Sequence, residues 1–290
     1  MKRIGIGKTL AQMAATLTLF ACILAVNTNF NGAAAQTTAE LEAGIQLPVI
    51  MYHSILKDQA RAGQYVLSPD VLASDLDYLK KAGYQTVSVA ELLDYVDGKG
   101  DLPEKPVMIT FDDGYYNNYL YAYPLLQERD MKAVVSVIGA ETARYTETGQ
   151  ENAYWSYLSE ERLREMEESG VFEIQNHSYD LHETNGRKGC LKRRGENDSA
   201  YRSLLTEDTQ KAQALLADAG VTVPLCYAYP YGACNRETEE VLKGLGFRCT
   251  LSCSEKMNTI TRDADCLFLL GRYNRPSGIS SSAFFAKVFG

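Results

Sequence analysis

Histidine is scarce in this 290-residue chain: His53, His177 and His182 are the whole supply. There is a single tryptophan, Trp155, and no Cys-x-x-Cys pair; Cys249 and Cys253 stand four apart with no histidine nearby, so a thiolate zinc module has no ligand set. No G-x-G-x-x-G follows a strand-like run and no P-loop is present, which leaves nucleotide binding without support. No repeat of fixed period and no low-complexity tract interrupts a composition that is 46% hydrophobic and 23% charged, ordinary for a globular protein. Basic charge is also short, 29 Lys and Arg against 37 Asp and Glu, a net of −8. Phosphate binding relies on basic surface, so nucleic acid is not an expected partner.

What is present begins with "MKRIGIGK", a basic head carrying Lys2, Arg3 and Lys8. The apolar "TLAQMAATLTLFACILAV" and the small, polar "NTNFNGAAAQTT" follow. These are the three parts of an export signal. Ala33 and Ala35 form an A-x-A site, so cleavage before Gln36 is expected. An uncleaved membrane anchor is the second reading, since the apolar part is long. Export places the protein outside a bacterial cell, secreted or in the envelope. Loss of residues 1–35 takes the net charge to −11 and leaves Cys190, Cys226, Cys234, Cys249, Cys253 and Cys266. An even count in an exported chain permits disulfides without fixing their pairing. Structural cysteines, paired or buried, are expected over a metal cluster.

Residues 36–46 read as a linker and 47–290 as one domain. Strand-like runs ("PVIMYH", "QTVSV", "PVMITF", "AVVSVIG", "FEIQNH", "LCYAYP", "FRCTLSC", "LFLLGRY") alternate with helical patterns. "SPDVLASDLDYLKKAG" has Ser68 to cap its start and Gly83 to end it; "SEERLREMEESG" has Ser159 and Gly170. "EDTQKAQALLADAG" and "NRETEEVLKGLG" follow the same design. Alternating β and α units predict a parallel sheet with helices outside. About eight strands over roughly 245 residues match a (β/α) barrel, with an open doubly wound sheet as the alternative. Residues 183–203 fall outside the pattern and hold a basic cluster, either an anion-binding excursion or a solvated loop.

Each histidine lies at or just past the C-terminal end of a strand-like run. So do Asp112, Asp113 and the turn Tyr229–Gly232. That end of a parallel sheet carries the chemistry. His177 and His182 are five apart, too far for one helical face, but a strand end turning into a loop can bring both to one ion. With a carboxylate they make a two-His, one-carboxylate set with open positions. "TFDDG" can supply one acid to a cation and leave the other free to take a proton, the cation offsetting their repulsion. A helix N-cap would account for one aspartate but not for two in tandem.

With these residues assembled, residues 47–290 resemble the polysaccharide deacetylase family, metal-dependent carbohydrate esterases. "TFDDG" resembles the family's first motif, which implies Asp112 as catalytic base and Asp113 as metal ligand. "HSYDLH" resembles the second, implying His177 and His182 as ligands; their five-residue spacing is similar to that of the poly-N-acetylglucosamine branch. "AYPYG" resembles the third, implying the Tyr231 backbone N–H as an oxyanion donor. Two departures stand out. Ala228 occupies the place of the arginine that orients the base, for which Arg272 in "LLGRYNRP" is the substitute. No histidine follows His182 to act as the acid, a role the branch's permuted order gives to His53.

The resemblance implies a distorted (β/α) barrel of about seven or eight parallel strands in a single domain. The expected activity is hydrolysis of N-acetyl groups from an N-acetylglucosamine-containing glycan, releasing acetate. An O-acetyl esterase on a xylan-type glycan and an inactive sugar-binding module are the alternatives. The expected cofactor is a divalent metal held by Asp113, His177 and His182; zinc suits the set best, and cobalt, nickel or manganese also fit. Tyr229, Tyr231 and Trp155 are candidate sugar-stacking surfaces. A monomer is expected, touching a membrane only through an N-terminal anchor.

Overall fold

The strand-like runs predict where the sheet forms, and the computed structural model, which describes residues 44–290, places one strand in each. The expected signal and most of the expected linker lie outside the described residues. Eight parallel strands make the main sheet: β1 (Val49–Tyr52), β2 (Gln85–Thr86), β3 (Pro106–Phe111), β4 (Ala133–Val137), β5 (Phe172–Asn176), β6 (Cys226–Ala228), β7 (Cys249–Leu251) and β8 (Tyr273–Asn274). They run in the order β7-β6-β5-β4-β3-β1-β8, with β2 beside the start of β3. The segment leading into β8 brings the two ends of this path together: Leu270 N–H donates to Thr250 O and Ser252 N–H to Leu270 O, both at 2.9 Å. The result is the distorted (β/α) barrel that the sequence predicts.

Strands covered on both faces carry continuous apolar runs rather than alternating ones. All six residues of β3 are buried, with Pro106 at its first position, where the missing N–H costs least. Helices cover the outside: α1 (Pro69–Lys81), α2 (Val89–Val96), α3 (Tyr123–Gln127), α4 (Gly139–Thr148), α5 (Glu160–Glu168), α6 (Asp198–Asp218), α7 (Arg236–Gly244) and α8 (Ser281–Phe289). Ser68 and Ser159 cap α1 and α5 as expected, accepting from Val71 N–H (3.3 Å) and Arg162 N–H (3.4 Å). Leu72, Leu76 and Leu79 put one face of α1 into a core shared with Ile50, Ile109 and Phe111.

Two expectations are adjusted. In "LFLLGRY" only Tyr273 lies in a strand, with Leu270 making an isolated bridge to β7; Ala264–Leu267 wind into a 3-10 turn and Leu269 takes a positive φ of 58°. The excursion at 183–203 ends at Asn197, whose side chain caps α6 with bonds to Ser199 and Ala200 N–H. All six described cysteines are free thiols, and Cys190, Cys226 and Cys249 are buried. Among the described residues no helix is long and apolar enough to cross a membrane.

Register sets up the site. Tyr52 pairs with Phe111, Val137 with Asn176 and Asn176 with Tyr227. The residues that follow, His53, Asp112 and His177, therefore leave the sheet at one rim, where Ala228 ends β6.

Candidate active site

Asp112 and Asp113 take opposite directions out of β3. Asp113 turns into the left-handed region at φ 73°, and Gly114 follows at 78°. A Cβ on Gly114 would lie 2.8 Å from Val137 Cγ1, so only glycine fits there. Ser178 (φ 74°) and Tyr231 (φ 60°) are turned the same way, so each of the three motif loops holds a strained residue, as at many functional sites.

Three ligand atoms converge from Asp113, His177 and His182, all within 4.8 Å of one another. Asp113 Oδ1 lies 3.5 Å from His177 Nε2 and 3.2 Å from His182 Nε2. His177 Nδ1 sits 2.7 Å from the Ala228 carbonyl. A carbonyl only accepts, so Nδ1 carries a proton, and in the neutral ring Nε2 is then a bare lone pair. His182 Nδ1 meets the Tyr231 hydroxyl at 3.2 Å, and that hydroxyl also reaches the His182 carbonyl at 3.3 Å. With His182 Nδ1–H as donor, its Nε2 is free as well. Asp113 Oδ1 is buried with no hydrogen-bond partner. Buried acceptors facing one another without a donor fit a cation, and outer partners on each Nδ1 are what fixes metal-binding histidines. The residues present therefore suit the divalent metal expected from sequence, without selecting which one.

Asp112 stays out of this cluster. Both its oxygens are 2.7 Å from Arg272 Nη1 and Nη2, a bidentate pair in which Arg272 is fully buried. Arg272 Nε is spent on Ser252 O at 2.9 Å, which locks the guanidinium plane. Burial alone would push the Asp112 carboxyl up, but the guanidinium charge overrides it and holds the group below the usual carboxylate range.

His53 packs its ring 4.7 Å from Tyr65, and Asn118 Nδ2 holds its carbonyl at 2.7 Å. His53 Nδ1 is buried and unpaired. Burial lowers its pKa against the pull of Asp112 and Asp113.

His53, Asp112, Asp113, His177, His182 and Tyr231 line one cleft of about 590 Å³; Arg272 stands behind Asp112. A smaller cavity of about 290 Å³ opens at the opposite end of the sheet, around Phe172 and Glu173, and holds none of these groups. Tyr229 is a correction: it is fully buried beside Tyr227 and is not a stacking surface. The basic cluster is largely spent internally. Arg187 is buried against Glu196 (2.5 Å), Arg193 meets Glu183 and Lys192 meets Asp198. Lys188 is the member of the cluster that lines the cleft.

No sequence signal marks out Asp208 on α6. Its carboxylate accepts from Tyr179 N–H (2.9 Å) and Asp180 N–H (2.7 Å), clamping the loop between the two histidines. Asp208→Ala is expected to weaken metal affinity about 10- to 100-fold, the usual loss for an outer support, with far-UV circular dichroism retained. Metal titration checks it, and undiminished affinity would remove the clamp from the site.

Comparison with known proteins points the same way. Residues 99–250, more than half the chain, match the family model described as polysaccharide deacetylase. The poly-beta-1,6-N-acetyl-D-glucosamine N-deacetylase of Escherichia coli K12 is 27% identical over 217 residues, 68% of this chain but 32% of that protein. The enzyme of the same name from Staphylococcus aureus N315 is 28% identical over 198 residues, 67% of this chain and 63% of that one. The chain thus spans about a third and somewhat under two thirds of these relatives. Among solved structures, a de-N-acetylase from Aggregatibacter actinomycetemcomitans superposes with TM-score 0.70 at 26% identity, covering 83% of this chain and 99% of the other. IcaB from Ammonifex degensii gives 0.67 at 29% identity, covering 85% and 97%. With its barrel, its three motif loops and this match, the chain belongs to the polysaccharide deacetylase family.

Proposed function

We propose that the protein hydrolyses N-acetyl groups of an N-acetylglucosamine-containing polysaccharide, releasing acetate and leaving a free amine. The observation that carries this reading is the pairing, in one cleft, of a three-acceptor cluster with a separate carboxylate kept ionised by its own arginine. Asp113, His177 and His182 would hold a divalent cation, zinc being the best match to one oxygen and two nitrogens. When bound, such a cation polarises a carbonyl and acidifies water, so that a weak base suffices.

The remaining work falls to the chain. Asp112 accepts the proton of the attacking water, its carboxylate held by Arg272 at 2.7 Å on both oxygens. The Tyr231 N–H is assigned to the developing oxyanion. His53, with Nδ1 unpaired, is assigned the proton transfer to the departing amine nitrogen as the C–N bond breaks. Water supplies hydroxyl to the acyl carbon and a proton to nitrogen, which balances the reaction. Arg272 also supports catalysis over an inert sugar-binding module, since Ala228 no longer leaves the base without a guanidinium. The relatives named as poly-beta-1,6-N-acetyl-D-glucosamine N-deacetylases support that polymer as the substrate class.

Acetate release from poly-N-acetylglucosamine, chitin oligomers, peptidoglycan and acetylxylan tests the reading. Activity is expected on an N-acetylated glycan, lost on chelation and restored by added zinc, cobalt, nickel or manganese. Release from acetylxylan alone would replace it with O-acetyl esterase chemistry.

A further inference from the structure

Between α4 and α5 the chain makes a tight turn at Asn152–Ser156. Asn152 Oδ1 accepts from Tyr154 N–H and Ser156 Oγ from Asn152 N–H, both at 2.9 Å; Ser156 N–H donates to Asn152 O at 3.0 Å. Asn117 Nδ2 holds the Ala153 carbonyl and the Tyr145 hydroxyl holds that of Trp155, each at 2.9 Å. A turn pinned this way nonetheless leaves two large rings in water: Trp155 is 55% exposed and Tyr154 46%.

The turn is fused to the cleft wall. Tyr116 N–H donates to Ser156 O and Leu158 N–H to Gly114 O, both at 2.8 Å. The Tyr157 ring lies 4.8 Å from that of Tyr115, which lines the cleft. Across from it, Arg61 lies over the Tyr154 ring at 5.3 Å. Arg61 belongs to the loop that carries Tyr65, itself 51% exposed and packed on His53.

We propose that Tyr65, Tyr154 and Trp155 form a stacking platform running out of the cleft, which binds sugar rings of the glycan chain on one side of the residue being deacetylated. This rests on the deacetylase reading and adds which side chains hold the sugars neighbouring the one that reacts. A pyranose has an apolar C–H face and a hydroxyl edge. Aromatic faces carry partial negative charge that attracts polarised C–H groups, and Arg61 adds planar donors for hydroxyls. A lipid surface fits less well. The turn sits beside the Glu151–Arg162 ion pair (2.6 Å) rather than in a basic apolar stripe, and the chain is acidic.

Trp155 is the only tryptophan, so its emission reports on the platform directly. The full-length protein is titrated with N-acetylglucosamine oligomers from dimer to hexamer, and acetate release is followed on the same series. The expected result is a saturable change in emission that tightens with length. Trp155→Ala and Tyr154→Ala should each raise the hexamer KM about threefold to tenfold and reduce the hexamer-to-dimer ratio of kcat/KM. Equal losses on dimer and hexamer would overturn the platform, leaving the turn as mere support for the Gly114 loop. So would silent emission with acetate still released, or emission that responds only to phospholipid vesicles. A length-dependent emission change without any acetate release would keep the platform and sink the deacetylase reading.

Discussion

Arg272→Ala is expected to destabilise the fold by about 3–5 kcal/mol, because it strands a buried carboxylate whose only strong partner is removed. Arg272 is fully buried and spans Ser252 O, Thr110 Oγ1 and both oxygens of Asp112. Removing it reverses the balance on Asp112. In the native protein the carboxyl is held below the usual carboxylate range, so its contribution is complete at neutral pH and is lost only as pH falls through that lowered value. Without the guanidinium, the upward push of burial on Asp112 loses its main opponent. Activity should fall with stability. Chemical denaturation checks the first effect, and the double variant Asp112→Asn/Arg272→Met gives the control, since losing both charges should cost less than losing one. A single variant as stable as the native chain would mean that water reaches Asp112.

The second large effect separates the adjacent aspartates. Asp112→Asn is expected to reduce kcat by about 10²- to 10⁴-fold, the span of general base catalysis, with metal content near normal. Asp113→Asn, or His177→Ala with His182→Ala, should instead empty the site, because these are the three side chains proposed to hold the cation. Metal content by atomic emission alongside acetate release distinguishes the two outcomes; loss of metal from Asp112→Asn would mean that the roles are exchanged. His53→Ala should lower the rate and keep the metal, and unchanged activity would put the acid elsewhere.

Much of this was legible without coordinates, for physical reasons. Buried parallel strands write themselves as apolar runs, and Ser68 and Ser159 announce helix starts because the exposed N–H groups need an acceptor. The tandem acids after "PVMIT" and the histidines after "FEIQN" could be placed on one rim because parallel strands end together. What stayed hidden depends on partners far away in sequence or on backbone atoms. The Ala228 carbonyl that orients His177 has no side-chain signature at all. Asp208 is one acidic residue among many on α6, and its grip on Tyr179 and Asp180 exists only once that helix is docked. Tyr231 was expected to act through its N–H, yet its hydroxyl also braces His182. Tyr229, two residues away, lies in the core with Tyr201, Tyr227 and Leu242.

The guanidinium that steadies Asp112 comes from the far end of the chain, next to the strand that completes the ring. Asp113, His177 and His182 all precede it in the sequence. A variant lacking β8 is therefore expected to keep those three side chains while Asp112 loses its counter-charge.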